Sequence, residues 1–234
     1  MTRYTDYCPI GTGIDVIGDR WTPLVIREMS AGSTGFNEIH RGIPRISRTL
    51  LSQRLRVMER RGLINREVDG QRRSTRYTLT PIGQELVPIV WEIGHWAARW
   101  LYAESDEETC DGATLLWRLH QQANPAALPK DRVVVHVILT GEGAAEGWLD
   151  IDGDGMTVCK DDQGKDVDLV MEGDTRQLYR WTAGITSFRE LVSAGDVRLI
   201  GPSRLARAFP TWFRQSMFAE DMRRSASRLA ACPA

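Results

Sequence analysis

The sequence predicts an α+β protein built from two domains, and its length and charge distribution support that prediction. Its 234 residues exceed the usual length of one domain, and 42% hydrophobic with 26% charged residues is ordinary for a globular chain. Residues 1–103 hold fifteen Lys and Arg against ten Asp and Glu, a net charge of +5. Residues 104–234 hold fifteen against twenty-one, a net charge of −6. The overall charge of −1 is therefore a cancellation between two unlike parts.

An acidic segment, 104–112, separates the two parts; it is short of apolar residues and ends in Gly112. Such a composition is typical of a linker. We therefore predict a basic domain over residues 1–103, a linker over 104–112 and an acidic domain over 113–234.

Several classes of protein are disfavoured by the composition. The four cysteines form no C-x-x-C pair, which argues against a disulfide scaffold or a zinc finger. Asp6 and Pro9 interrupt the first residues before an apolar stretch of signal-peptide length could form, which argues against secretion. No apolar run approaches the roughly 20 residues of a membrane helix. The four histidines have no metal-ligand spacing. We expect a cytoplasmic protein with no membrane partner, metal or cofactor, and no enzymatic activity.

The basic domain begins with helices and continues with a hairpin. Thr22-Pro23 and Thr80-Pro81 are predicted helix starts, each with a capping Thr and Pro at the first helical position. A helix from Ser47 to Arg61 has Leu51, Leu55 and Met58 on one face and stops at Gly62. Strands over 63–68 and 76–80 flank a turn-rich tip. Three helices followed by a two-stranded hairpin predict a winged helix-turn-helix domain.

Arginine is concentrated in this hairpin and in the helix before it. Residues 41–76 contain eleven arginines and three acids, a net charge of +8. A solvated, salt-bridged helix face is the alternative, but too few acids are present to pair the arginines internally. Outward polar side chains on the second helix of such a motif can reach base edges in a major groove, and wing arginines can contact the backbone. The predicted contacts with double-stranded DNA are Arg45, Ser47, Arg48, Thr49, Ser52, Gln53, Arg56, Arg72, Arg73 and Arg76.

The long helix that begins after Thr80-Pro81 extends to about Leu101 and carries more apolar surface than a small domain can cover. Its apolar positions include Ile82, Ile89 and Ile93. A second copy of the chain is the expected cover, and a two-fold homodimer would present two recognition helices to a palindromic site. Packing of this helix against the second domain is the alternative.

The N-terminal part resembles the HxlR-type winged-helix transcriptional regulators over about residues 4–101. The resemblance is carried by spaced motifs: Tyr7-Cys8-Pro9-Ile10, Ile14-Asp15-Val16-Ile17-Gly18-Asp19-Arg20-Trp21-Thr22, Gly35-Phe36-Asn37-Glu38-Ile39, Leu50-Leu51-Ser52-Gln53-Arg54-Leu55 and Tyr77-Thr78-Leu79-Thr80-Pro81. It implies dimerisation through the terminal helices and operator binding by the helix that starts at Ser47. Arg76 departs from the acidic residue common in the family. Cys8 falls on a cysteine that some members use as a thiol sensor; a small packing residue is the alternative.

The acidic domain is predicted to hold an antiparallel sheet with helices on one face. Strands are expected over 133–139, 147–151, 156–160, 167–171 and 196–200, and helices over 175–183, 188–193 and 202–213. The stretch 130–218 is similar to sterol carrier protein type 2-like domains, whose sheet and helices enclose an apolar tunnel. This similarity implies a small hydrophobic effector; ordinary core packing is the alternative for each residue. The candidate lining residues are Trp148, Met156, Trp181, Phe188, Leu191, Phe209, Trp212 and Phe213.

These observations predict a DNA-binding transcriptional regulator with an effector-binding second domain. Two other classes stay open. One is a lipid-carrier-like or enzymatic protein that uses the winged helix only to dimerise, and the other is a protein–protein adaptor. Asp150, Asp152, Asp154 and Asp161 have the spacing of a calcium loop, but a hairpin turn is the preferred interpretation because strand patterns flank them.

Overall fold

A computed structural model of the chain describes residues 8–70, 74–101, 110–153 and 155–231. The chain divides into two compact units, Met1–Ile93 and Gly94–Ala234. None of the helices in the described ranges has the length and apolar character needed to cross a membrane. The domain boundaries expected from composition stay a prediction, and most of the acidic segment, 102–109, lies outside the described residues.

The first unit contains four helices, a two-stranded hairpin and most of a fifth helix. These elements are α1 (Pro9–Ile17), α2 (Trp21–Ser30), α3 (Phe36–Gly42), α4 (Arg48–Arg60), β1 (Ile64–Asp69), β2 (Ser74–Leu79) and α5 (Pro81–Trp100). The core of this unit joins α2, α3, α4 and the hairpin through Ile26, Ile39, Leu51, Leu55 and Ile64. This arrangement is a winged helix-turn-helix, as the sequence predicts.

The ends of three helices test the capping and stop residues that the sequence predicts. Thr80 caps α5 as expected, because its Oγ1 accepts a hydrogen bond from the Gly83 amide at 3.1 Å. Gly62 has a positive φ of 71°, a conformation that glycine adopts without strain, immediately after α4. The prediction for α2 was wrong. That helix starts one residue before Thr22, and the side chain of Asp19 accepts hydrogen bonds from the amides of Trp21 and Thr22.

The second unit contains a five-stranded sheet with helices packed on one face. Its elements are α6 (Gly112–Gln121), β3 (Val133–Thr140), β4 (Ala145–Asp152), β5 (Gly155–Cys159), β6 (Leu169–Asp174), α7 (Thr175–Thr182), α8 (Phe188–Ala194), β7 (Val197–Ile200), α9 (Ser203–Ala208), a 3₁₀ turn (Phe209–Trp212) and α10 (Ala219–Ala231). The strand order is β5-β4-β3-β6-β7. The predicted α+β layout is therefore present.

The sheet is mixed, which corrects the prediction of an antiparallel one. β3 pairs with β6 in parallel, with Val137 opposite Met171, whereas all other neighbours in this sheet are antiparallel. The segment 160–168 carries the chain from edge strand β5 to the far side of β3. Alternation of apolar residues predicts that a segment is a strand with two faces, but it contains no information about strand direction.

β4 and β5 pair as neighbouring antiparallel strands, with Asp152 opposite Gly155. The carboxylate of Asp150 binds Arg132 and Lys165. In the described parts of the chain, no three His, Cys, Asp or Glu side chains are grouped as metal ligands. Asp154 lies outside those parts.

Candidate DNA-binding surface

The surface of α4 is organised by its cap and its buried face. The Oγ of Ser47 accepts a hydrogen bond from the Leu50 amide at 3.2 Å, which fixes the first turn. Leu51, Leu55 and Met58 are almost fully buried against the core of the first unit. Because these three positions lie on one side of the helix, the remaining positions face outward.

The outward positions hold most of the residues predicted to contact DNA. Ser52 is half-buried, and the other predicted residues on or next to the helix are exposed: Arg45, Ser47, Arg48, Thr49, Gln53 and Arg56. The structure therefore places Thr49, Gln53 and Arg56 on a continuous outward face, as the spacing predicts. Their contacts with bases or phosphates stay a prediction.

Arg48 is held in place by the preceding helix. Its Nη1 donates a hydrogen bond to Oδ1 of Asn37 at 3.0 Å, and its guanidinium carbon lies 5.9 Å from the ring centroid of Phe36. These two contacts restrict a long side chain at the start of α4. Sequence patterns did not predict these two contacts. Asn37 and Phe36 occur in the Gly35–Ile39 motif, but their distance from Arg48 is visible only in three dimensions.

Some arginines of the basic segment serve the fold. The Nη1 of Arg61 donates to the backbone carbonyls of Asp15 and Val16, at 2.8 and 3.2 Å, which attaches the end of α4 to α1. Arg54 lies 3.4 Å from the carboxylate of Asp19, the residue that caps α2. Arg54 and Arg61 are therefore engaged by residues that lie outside the 41–76 segment.

The hairpin forms the wing beside α4. Its register pairs Glu67 with Arg76, and the amide of Tyr77 donates to the carbonyl of Thr34 at 2.8 Å. Arg76 is exposed, and its position opposite Glu67 offsets part of its charge. Arg72 and Arg73, the other two predicted wing contacts, lie outside the described residues.

Cys8 lies at the start of α1 and is half-buried. Its carbonyl accepts hydrogen bonds from the amide and the hydroxyl of Thr12. Cys110 is buried and Cys159 is half-buried in the second unit. A thiol-sensor role for Cys8 stays a prediction.

The residues predicted to line an effector pocket separate into two groups. Seven belong to the core of the second unit: Met156, Trp181, Phe188, Leu191, Phe209, Trp212 and Phe213. Within this group the rings of Phe209 and Phe213 are 5.1 Å apart, centroid to centroid. Trp148 is separated from them because successive strand residues point to opposite faces of a sheet. It lies on the other face, stacked on His136 at 4.6 Å.

Comparisons with known proteins agree with the winged-helix architecture of the first unit. Residues 16–105 match the family described as HxlR-like helix-turn-helix. YvaP of Bacillus subtilis strain 168, named as an uncharacterized HTH-type transcriptional regulator, is 33% identical over 99 residues, covering 42% of this chain and 92% of YvaP. YybR of the same strain, with the same description, is 37% identical over 90 residues, covering 38% of this chain and 72% of YybR.

Among solved structures, the reduced form of the transcriptional regulator YodB from B. subtilis is 31% identical. The match covers 41% of this chain and 95% of YodB, with a TM-score of 0.36. The profile match and the near-complete coverage of YvaP therefore establish that the chain belongs to the HxlR-like helix-turn-helix family.

Proposed function

We propose that this family member regulates transcription by binding a palindromic operator as a homodimer, with α4 of each copy in a major groove. The single observation that carries this proposal is the outward face of α4. It combines Thr49, Gln53 and Arg56 with a tethered Arg48, on a helix whose opposite side is buried. Short polar side chains and arginine are the residues that read base edges in B-DNA.

The exposed apolar positions of α5 support the homodimer. Ile82, Ile89 and Ile93 recur at helical spacing and are 62%, 47% and 49% exposed. The same spacing continues in the sequence to Trp96, which is also exposed. A row of large apolar side chains on one side of a helix is unusual on a monomer's surface. A second copy that covers this row would also provide the two-fold symmetry that a palindrome requires.

The experiment is selection of bound fragments from a random pool of duplex DNA by the full chain, followed by sequencing. We expect an enriched palindrome whose half-sites are centred about one helical turn, or a multiple of it, apart. Gln53→Ala should relax preference at one position of each half-site. Arg207→Ala, which removes an exposed charge from α9, is the control and should select the same sequence. Recovery of unenriched DNA, or of single half-sites, would contradict the proposal.

The second domain, expected over residues 113–234, is proposed to be sterol-carrier-like and to bind a small hydrophobic effector. Support comes from the aromatic side chains of its core, where Trp181 contacts both Phe188 and Phe213. A matching ligand should raise the melting temperature of the full chain and change its affinity for the selected operator. If apolar ligands that span several sizes and shapes change neither quantity, this domain does not sense such molecules.

A further inference from the structure

The end of α5 and the start of α10 are joined in the second unit by a buried carboxylate. Asp221 is 8% exposed, and its Oδ2 lies 2.7 Å from Nδ1 of His95. The Nε of Arg99 donates to Oδ1 of Asp221 at 3.1 Å. Hydrogen bonds from His95 and Arg99 lower the pKa of Asp221, so this carboxyl is ionised at neutral pH. Phe218 packs edge-on against His95, with the two ring centroids 5.0 Å apart. Hydrogen bonds and a ring contact therefore attach the end of α5 to the start of α10.

Beside this attachment the two helices form a groove of about 540 Å³. We call it the arginine groove, and define it by Arg99, Trp100, Glu220, Arg223, Arg224 and Arg228. Its volume lies within the range of pockets that hold small organic molecules, about 300–1,000 Å³. The indole of Trp100 is 60% exposed, and the aliphatic stems of the arginines extend the apolar surface around it.

The charges of the arginine groove do not balance among the described residues. Arg99 pairs with Asp221, and Arg224 pairs with Glu220 one turn earlier on α10. For the other two arginines the described contacts are uncharged. The Nε of Arg223 donates to the carbonyl of Ala219, and the guanidinium carbon of Arg228 lies 4.5 Å from the centroid of the Trp100 ring. Among these groups, four cations therefore face two carboxylates.

We propose that the arginine groove binds a small organic anion, with a carboxylate or similar oxyanion attached to an aromatic or aliphatic body. Arg223 and Arg228 bind the oxyanion, because the planar guanidinium matches two oxygens of a carboxylate or phosphate. The body of the ligand lies on the exposed indole of Trp100 and the neighbouring arginine stems. This site is distinct from the aromatic core of the second unit, where an uncharged apolar ligand is proposed.

The experiment is isothermal titration calorimetry of the full chain with naphthoate, an aromatic carboxylate, and with naphthalenemethanol, its uncharged analogue. We expect saturable binding of one naphthoate per chain and at least about tenfold weaker binding of the alcohol, because a hydrogen bond to a charged group is worth more than a neutral one. The double variant Arg223→Gln/Arg228→Gln should bind naphthoate at least about tenfold more weakly. Trp100→Ala should also weaken it.

The matched control is Arg204→Gln/Arg207→Gln, which removes two exposed charges from α9 in the same unit. It should bind naphthoate as the parent does, and thermal melting should show that both double variants are folded. Equal affinity of the two double variants for naphthoate would overturn the proposal, as would equal affinity of the parent for the acid and the alcohol. Absence of saturable binding at millimolar naphthoate would also overturn it. If Arg223→Gln/Arg228→Gln weakens only non-specific DNA binding, the groove contacts phosphate backbone and the proposal is wrong.

Discussion

Arg48 donates a hydrogen bond to Asn37 across 3.0 Å, and this contact connects the first turn of α4 to α3. Arg48 is exposed and carries a long side chain, which would otherwise sample many rotamers. The Asn37 contact and the ring of Phe36 limit that freedom before DNA arrives. A side chain ordered in advance loses less entropy when it binds.

We therefore expect Asn37→Ala to weaken binding to the selected operator several-fold, with little change in the melting temperature of the chain. Asn37 is exposed, so its removal leaves no cavity. Fluorescence anisotropy of a labelled operator measures the affinity. Gln163→Ala, at an exposed loop position of the second unit, is the control. Unchanged operator affinity in Asn37→Ala would show that the tether has no role in recognition.

Asp19 is predicted to stabilise the first unit by capping α2. It accepts hydrogen bonds from the amides of Trp21 and Thr22, one from the Thr22 hydroxyl at 2.6 Å, and it pairs with Arg54. Asp19→Ala should destabilise this unit by about 1–3 kcal/mol, since capping amides lose their acceptor. Asp19→Asn keeps a side-chain oxygen that can accept a hydrogen bond, so this variant should lose less stability. Urea unfolding followed by helical circular dichroism tests both, and equal losses in the two variants would contradict the capping role.

The Asp150 ion pairs predict a specific acid sensitivity in the second unit. A hydrogen bond from Arg132, and another from Lys165, lower the pKa of Asp150 from 3.8 to about 2. Because the folded pKa is the lower one, the stabilisation is fully present above about pH 4 and disappears as the pH falls toward 2. Because Arg132 is exposed and solvent screens the pair, we expect the ion pairs to contribute only about 1 kcal/mol to the free energy of unfolding.

Asp150→Asn tests this expectation through urea unfolding between pH 7 and pH 2. The parent should be more stable than the variant at neutral pH, and the difference should vanish as the pH approaches the folded pKa. Asp166→Asn, at an exposed carboxyl, should follow the parent at every pH. A stability difference that does not shrink on acidification would show that the ion pairs are not its cause.

The exposed row on α5 makes the proposed homodimer testable with one substitution. Ile89→Glu places a charge in the middle of that row and should convert the dimer to a monomer, because burying an unpaired charge is costly. Sedimentation velocity measures the change in mass. Ile200→Glu on β7 is the matched control, since the parent side chain is 49% exposed and Ile89 is 47% exposed. A parent chain that sediments as a monomer would rule out the proposed dimer.

Sequence patterns predicted the elements that depend on neighbouring residues. The helix expected from Ser47 to Arg61 is α4, Arg48–Arg60, because its cap, its i, i+4, i+7 leucines and methionine, and Gly62 all act within a few residues. The parallel pairing of β3 with β6 was not predictable in this way, because it depends on the path of segment 160–168 across the sheet.

The helix α10 was missed for a different physical reason. Its inward positions include Asp221 and Ser225, which are buried polar residues, so it lacks the apolar stripe that predicts a packed helix. Prediction of the DNA-binding surface was likewise limited to residues that are close together in the sequence. The outward face of α4 follows from its own spacing, whereas the contact of Arg48 with Asn37 joins residues eleven positions apart on two helices.

The central claim is that α4 reads DNA sequence, and the ratio of affinities for the selected operator and a scrambled duplex tests it most directly. Fluorescence anisotropy of the full chain and of Arg48→Ala, at one fixed salt concentration, gives this ratio. We predict that Arg48→Ala lowers the ratio by about tenfold or more, equivalent to about 1–3 kcal/mol for one lost base contact, while its affinity for the scrambled duplex changes less. An unchanged ratio, with both duplexes bound as tightly as by the parent, would contradict the account.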